Sequence, residues 1–224
     1  MKSRLALFDL DNTLLAGDSD HAWGEFLIEH DLVSANNHRE TNEAHYQNYL
    51  AGKLDIREYV RFTVNPVSSF SEQERNCLRE KFVERAIRPM ILPKSTALIE
   101  FHQTRGDTCI IITATNDFIT APIAQQLGVN ILIATELETV DGRLTGRIQG
   151  EPCYQEGKVK KLSDWLEQER LHGRSFELSS AVFYTDSIND LPLMEQVSEP
   201  IAVDPDDSLR HEAQVRQWKV ISLR

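Results

Sequence analysis

Asp9 and Asp11 directly follow a short apolar run, and Asp186 and Asp190 follow another. On an extended chain, residues i and i+2 point to the same side. Asp9 and Asp11 therefore offer two carboxylates to one spot just beyond Phe8. Asp186 and Asp190 are four apart, which makes them neighbours on a helical turn. A single aspartate in such a place ordinarily caps a turn or a helix. Four carboxylates converging on the ends of two strands do not fit that reading. Two unit charges about 4 Å apart repel by roughly 4 kcal/mol at an effective dielectric near 20, so the cluster requires a cation. Both segments offer oxygen ligands and neither contains histidine or cysteine. That favours Mg²⁺ over zinc or copper.

Two further positions suit phosphate chemistry. Thr113 closes the run Ile110-Ile111-Ile112. A hydroxyl at a strand end, followed by the backbone N–H of Ala114, can hold a phosphoryl oxygen; a buried strand-end threonine is the plainer alternative. Lys158 follows Gly157 at the start of a helical pattern. Most lysines so placed are solvated, as Lys160 and Lys161 are expected to be.

These residues need elements to position them. Leu5 to Phe8, Thr108 to Ile112, Asn130 to Ala134, Ala181 to Thr185 and Pro200 to Val203 read as short buried strands. Helical patterns lie between several of them: Ser95 to Arg105 closed by Gly106, Phe118 to Leu127 closed by Gly128, and Lys158 to Glu169. Pro122 is expected in the first turn of its helix, or else to kink it. The alternation predicts an α/β fold, a Rossmann-like parallel sheet with helices on both faces. The ends of Asp9's and Asp186's strands would then lie on the edge where open α/β sheets bind ligands. Asp141-Gly142 between extended segments predicts a β-hairpin.

Residues from about Ser19 to Arg88 break the alternation. Trp23, Phe26 and Leu27 share a helix face, Tyr46 to Leu50 mark a helix ending near Gly52, and Ser71-x-x-Glu74 is a capping box opening a third. The expected organisation is a catalytic core of residues 1–16 and 89–224 with an inserted helical cap, residues 17–88.

The bulk properties exclude several classes. Among 224 residues, 41% are hydrophobic, enough for a sizeable core. A net charge of -11 argues against nucleic acid and anionic membranes, both of which need a basic face. Three scattered cysteines without a CxxC spacing suit neither a disulfide framework nor structural zinc. Asp9 and Asp11 interrupt the N-terminal apolar stretch too early for a signal peptide, and no run approaches about 20 apolar residues. The expected location is the cytoplasm. Nothing in the sequence specifies an oligomeric state.

Asp9-x-Asp11-x-Thr13, Thr113, Lys158 and Asp186-x-x-x-Asp190 occur in the order and spacing of the haloacid dehalogenase superfamily of phosphohydrolases. Within it the chain resembles the phosphoserine-phosphatase-like branch, which carries a helical cap between the first and second motifs. The resemblance covers essentially the whole chain. It implies that Asp9 is a nucleophile forming an aspartyl phosphate, and that Asp11 is the acid and then the base. It implies Mg²⁺ on Asp9, the Asp11 carbonyl and Asp186, with Asp190 supporting or entering that shell. Thr113 and the Ala114 N–H would bind phosphoryl oxygens, Lys158 would neutralise charge, and Asn189 would donate on the phosphate side. The substrate would be a small phosphorylated metabolite.

The departures from that branch bear on the substrate. Asp18 stands where the phosphoserine enzymes carry a glutamate for the substrate's amino group. Their substrate-carboxylate arginine aligns with Thr63, beyond Gly52-Lys53-Leu54, and Arg61 is two residues away. Asp18, Asp20 and His21 at the cap entry favour a cationic substrate end, although Asp18 also suits a helix cap. An amino-alcohol phosphate such as histidinol phosphate is expected over phosphoserine. A phosphotransferase or mutase needs the same residues and is the alternative on this scaffold. A silent phosphate-binding module would not need all four carboxylates and Lys158.

Overall fold

The computed structural model describes residues 4–224; residues 1–3, the start of the stretch weighed above as a leader, lie outside them. Eight strands form: β1 (Leu5–Phe8), β2 (Thr108–Asn116), β3 (Ile131–Thr135), β4 (Leu137–Val140), β5 (Arg143–Ile148), β6 (Val182–Thr185), β7 (Glu199–Val203) and β8 (Lys219–Ile221). Six of them make one sheet in the order β3-β2-β1-β6-β7-β8, with every neighbouring pair parallel. The α/β fold read from the alternation is the fold found. Only β8, three residues at the sheet edge, falls outside the predicted strands.

The central strand explains itself. Every residue of β1 is buried. Leu5 and Leu7 pack on one face with Ile110, Ile112 and Phe183, and Ala6 and Phe8 on the other with Ile111, Val182 and Tyr184. A strand covered on both faces needs an unbroken apolar run rather than alternation. Fully burying one such large side chain contributes about 1.5–3 kcal/mol. The chain runs outward from β1 through β2 to β3, then returns to β6 beside β1 and runs outward the other way. That reversal is the switch point of an open α/β sheet, and the crevice beyond the strands' C-terminal ends opens there.

Nine helices complete the described residues. Five join or flank the parallel strands: α5 (Pro93–Thr104), α6 (Asp117–Gln126), α7 (Glu156–Leu171), α8 (Leu191–Met194) and α9 (Asp207–Arg216). The other four lie between β1 and β2: α1 (Ser19–Glu29), α2 (Ala35–Leu50), α3 (Ile56–Val64) and α4 (Glu72–Phe82). The helix α3 was not foreseen; Asp55 caps it, accepting from the N–H groups of Arg57 and Glu58 at 3.0 and 3.1 Å. The capping box is formed as predicted, Ser71 and Glu74 satisfying each other's backbone N–H. Where this helical stretch leaves and rejoins the sheet, its two connections run side by side. Leu15 bridges Ile91, and the Ala16 N–H donates to the Met90 carbonyl at 2.7 Å.

Two local predictions met different outcomes. The hairpin β4–β5 turns at Asp141-Gly142, both at positive φ (49° and 74°), as a tight two-residue turn requires. Pro122 lies inside α6 rather than in its first turn. Proline has no N–H to offer the carbonyl four residues back, which belongs to Phe118. Arg79 from α4 donates to that carbonyl instead, at 3.2 Å. A contact remote in sequence thus removes the cost that the local rule assigns to this position.

Candidate active site

The first and last motifs meet where β1 and β6 end. Lys158, at the start of α7, is 2% exposed and lies between two carboxylates. Its ammonium donates to Asp9 at 2.8 Å and to Asp190 at 2.7 Å. Burial works against the charged lysine, but Asp190 and Asp9 outweigh it and hold the ammonium above its ordinary range. Thr185, the last residue of β6, donates its hydroxyl to Asp190 at 2.6 Å. Lys158 reaches this position because α7 starts tight against the preceding loop. A Cβ on Gly157 would stand 2.0 Å from the Pro152 carbonyl oxygen, so only glycine fits there.

Thr13 ties Asp9 to Asp186. Its hydroxyl accepts from the Asp186 N–H at 3.0 Å and lies 2.9 Å from one Asp186 oxygen and 3.4 Å from Asp9. The loop that carries Asp186 is held from behind by Asp206, which accepts from the Ile188 N–H and donates its own N–H to the Asp186 carbonyl, both at 2.8 Å. Burial, with Asp9 adding to it, pushes Asp186 well above the usual carboxylate range. Burial likewise pushes Asp9 up to about 7 against the pull of Lys158.

These observations test the fit of a metal ion. Three carboxylates, Asp9, Asp186 and Asp190, gather around one ammonium, which leaves Asp186 without a cationic partner among the described residues. No group of three or more His, Cys, Asp and Glu side chains able to hold a metal stands together among those residues. Two carboxylates, Asp9 and Asp186, remain, a sparse all-oxygen set. That suits Mg²⁺, which usually keeps several waters and takes only one or two carboxylates. Asp190 faces Lys158 and Thr185, so of its two expected roles the geometry matches support rather than ligation.

Asp11 turns its side chain away from Asp186. It accepts from the Ser19 N–H at 2.6 Å and from the Thr115 hydroxyl at 2.8 Å. Those donors favour the charged form, but desolvation and the nearby Asp18 carboxylate prevail and raise Asp11 to about 7. A carboxyl poised near neutrality can both give and take a proton. Thr113 is buried, and its oxygen accepts from the Thr115 N–H at 3.2 Å. The β2–β3 register shifts between Ile112 and Asn116, so the ladder is interrupted where Thr113 and Ala114 face the crevice.

Asn189 sits differently from its expectation. Its amide donates to the Tyr49 carbonyl of α2 at 3.0 Å, while its oxygen faces Tyr154 and Gln155 at 3.3 and 3.2 Å. It therefore links the end of β6 to the helical stretch.

A cleft enclosing about 440 Å³, including its mouth, opens from Asp9 toward the helices. Asp9, Asp11, Thr113 and Ala114 line it, with Asp18 and Asp20 from the start of α1 and His45, Tyr46, Tyr49 and Tyr59 from α2 and α3. Neither lysine nor arginine lines it. His21 lies outside the lining, beside Tyr46 and 4.0 Å from Glu43. Arg61 packs near Gly146 of the hairpin, and Thr63 is buried with its hydroxyl on the Val60 carbonyl. Sequence reasoning missed Thr115, Thr185, Tyr59 and His45. Thr115 was within reach, two residues beyond Thr113 on the same strand face; Tyr59 and His45 carry no local signal.

Comparison with known proteins agrees with this geometry. The family model of the haloacid dehalogenase-like hydrolases matches residues 6–195. A protein of Neisseria meningitidis named histidinol-phosphatase is 41% identical over 221 residues, covering 98% of this chain and 99% of that one. A solved structure from Bordetella pertussis, of unknown function, superposes over all of both chains with a TM-score of 0.91 at 40% identity. A substrate-bound phosphoserine phosphatase complex matches in fold, with a TM-score of 0.70 at 21% identity over 99% of this chain and 93% of that one.

Proposed function

The chain belongs to the haloacid dehalogenase-like hydrolases and is a phosphatase; from that premise we propose that it is magnesium-dependent, forms an aspartyl phosphate on Asp9, and acts on a small amino-alcohol phosphate, histidinol phosphate foremost. The observation that carries the substrate reading is the cleft. Its lining brings together four aspartates and three tyrosines with no lysine or arginine. A substrate carboxylate would meet no partner there, whereas a cation would meet carboxylates and aromatic faces. The Neisseria relative's name supports the same reading.

In this proposal Asp9 attacks phosphorus and Asp11 protonates the leaving alkoxide, then takes a proton from the incoming water. Thr113 and the Ala114 N–H hold phosphoryl oxygens. Lys158 offsets charge on Asp9 and on the phosphoryl group, and Asp190 holds Lys158 in place. Mg²⁺ on Asp9, Asp186 and the Asp11 carbonyl would supply the remaining positive charge. Residues 17–88 act as a cap: α2 contributes Tyr46 and Tyr49, α3 contributes Tyr59, and closure excludes water.

Steady-state kinetics on histidinol phosphate, phosphoethanolamine and phosphoserine test the substrate. We expect kcat/KM for histidinol phosphate to exceed that for phosphoserine by at least about 100-fold, since a buried polar group left unpaired is costly. A preference for phosphoserine overturns the reading. Phosphate released in less than stoichiometric amount when alcohols are added would point to phosphotransfer.

Chelation is expected to silence the enzyme and Mg²⁺ to restore it. Ca²⁺ is expected to bind and inhibit, because its looser shell accepts bidentate carboxylates and would engage both oxygens of Asp9. Full turnover in Ca²⁺ would contradict a nucleophile that is also a metal ligand.

A further inference from the structure

Two carboxylates stand at the helical end of the cleft, and their surroundings differ. Asp18 is occupied as a helix cap: one of its oxygens accepts from the His21 N–H at 2.8 Å at the start of α1. Asp20 is 4% exposed and lines the cleft. The hydrogen bond it accepts from the Asn116 amide is a long one, 3.3 Å. The Thr115 hydroxyl, 2.8 Å from Asp11, has a single proton to serve both Asp11 and Asp20. Asp20 has no ion-pair partner among the described residues, and no lysine or arginine lines the cleft. A buried carboxylate with only weak or shared donors is costly unless a cation reaches it.

A second observation on the same wall points to a ligand. His45, nine-tenths buried, also lines the cleft. Its ring lies 5.1 Å from that of Tyr59 and 5.2 Å from that of Phe62, and neither ring nitrogen has a hydrogen-bond partner among the described residues. Burial lowers the His45 pKa against the pull of Glu58 and Asp55, which disfavours the imidazolium. Tyr59 closes this side of the cleft, next to Asp20.

Resting on the amino-alcohol phosphate reading above, we infer that Asp20, and not Asp18, is the residue that binds the positively charged end of the substrate. Asp18 then shapes the site by starting α1 and by raising the pKa of Asp11. Asp20 would receive the substrate's N–H donors through the oxygen that Asn116 leaves free, and His45 would offer a further hydrogen-bonding group in the same cleft.

The test compares phosphoethanolamine with propyl phosphate, which replaces the ammonium by a methyl group of similar size. The readout is the ratio of the two kcat/KM values within each variant. In the wild type the ratio is expected to be high. Asp20→Asn should lower it by at least about thirtyfold, mainly through the KM for the amine, as expected for truncating one partner of a buried charge pair. Asp20→Glu keeps the charge and should recover part of the ratio. Asp18→Asn should leave the ratio within about threefold and the melting temperature little changed, since asparagine caps a helix as well as aspartate does. A wild-type ratio near one would overturn the substrate reading and this assignment together. A high wild-type ratio that survives Asp20→Asn, or collapses only in Asp18→Asn, overturns the assignment alone. If Asp20→Asn does not fold, the ratio in Asp20→Glu decides: one unchanged from wild type, with Asp18→Asn reduced, counts against Asp20.

Discussion

Replacing Asp9 by asparagine is expected to reduce turnover by at least about 10,000-fold, the scale seen when a nucleophile is removed from a site that acts as a unit. The amide is isosteric and its oxygen can still accept from Lys158, which now reaches Asp9 at 2.8 Å. Packing around the 4%-exposed side chain therefore changes little. An amide nitrogen or oxygen does not attack phosphorus, so no covalent phosphoenzyme can form. The check has two parts. Acid-quenched wild type incubated with labelled substrate should retain phosphate on the protein, and Asp9→Asn should retain none. Activity within tenfold of wild type, with the fold intact by circular dichroism, would remove Asp9 from the mechanism.

The second large effect concerns Lys158. Its ammonium lies between Asp9 and Asp190, and all three side chains are buried. Lys158→Met keeps the length and apolar bulk but leaves two carboxylates facing each other without their counter-ion. Breaking a buried ion pair by removing one partner typically costs about 3–5 kcal/mol. For a chain of this size that is a fall in melting temperature on the order of 10 °C, measured in chelator so that no metal substitutes for the lost charge. Turnover should fall together with stability, by at least about 100-fold, because a charge-stabilising donor at the phosphate is lost. Lys160→Met, two residues on and exposed, pairs only with Asp164 at the surface and should change neither. A Lys158→Met enzyme as stable as wild type would mean that the pairing of Lys158 with Asp9 and Asp190 does not stabilise the fold.

What could be read from the chain alone and what could not divide along a physical line. Short-range rules carried the fold. The unbroken apolar run of Leu5 to Phe8 had to be a strand covered on both faces, Asp141-Gly142 had to turn a hairpin, and Ser71 with Glu74 had to open a helix. Asp9 and Asp11 were legible as chemistry for the same reason: the period of an extended strand aims both side chains past its end. Lys158 was not legible by itself, since a lysine at a helix start is solvated unless something folds over it. Its burial depends on Gly157 fitting against Pro152 and on Asp190 arriving from β6, contacts that sequence spacing does not encode. Pro122 shows the same limit, its orphaned carbonyl answered by Arg79 from another helix. The sharpest case is the pair at the cap entry. Asp18 and Asp20 are alike in type and two residues apart; the capping rule suits Asp18 but does not say which of the two is left with the weaker partners. The fold sets one oxygen of Asp18 on the His21 N–H and leaves Asp20 a long bond from Asn116, and both line a cleft whose other walls, Tyr46 and Tyr59, come from separate helices. Local geometry thus determined which elements form and that the first motif's carboxylates lie just beyond β1; the packing of distant elements decided which partners Asp9 and Asp11 take and which charges are buried, and burial is what sets their chemistry.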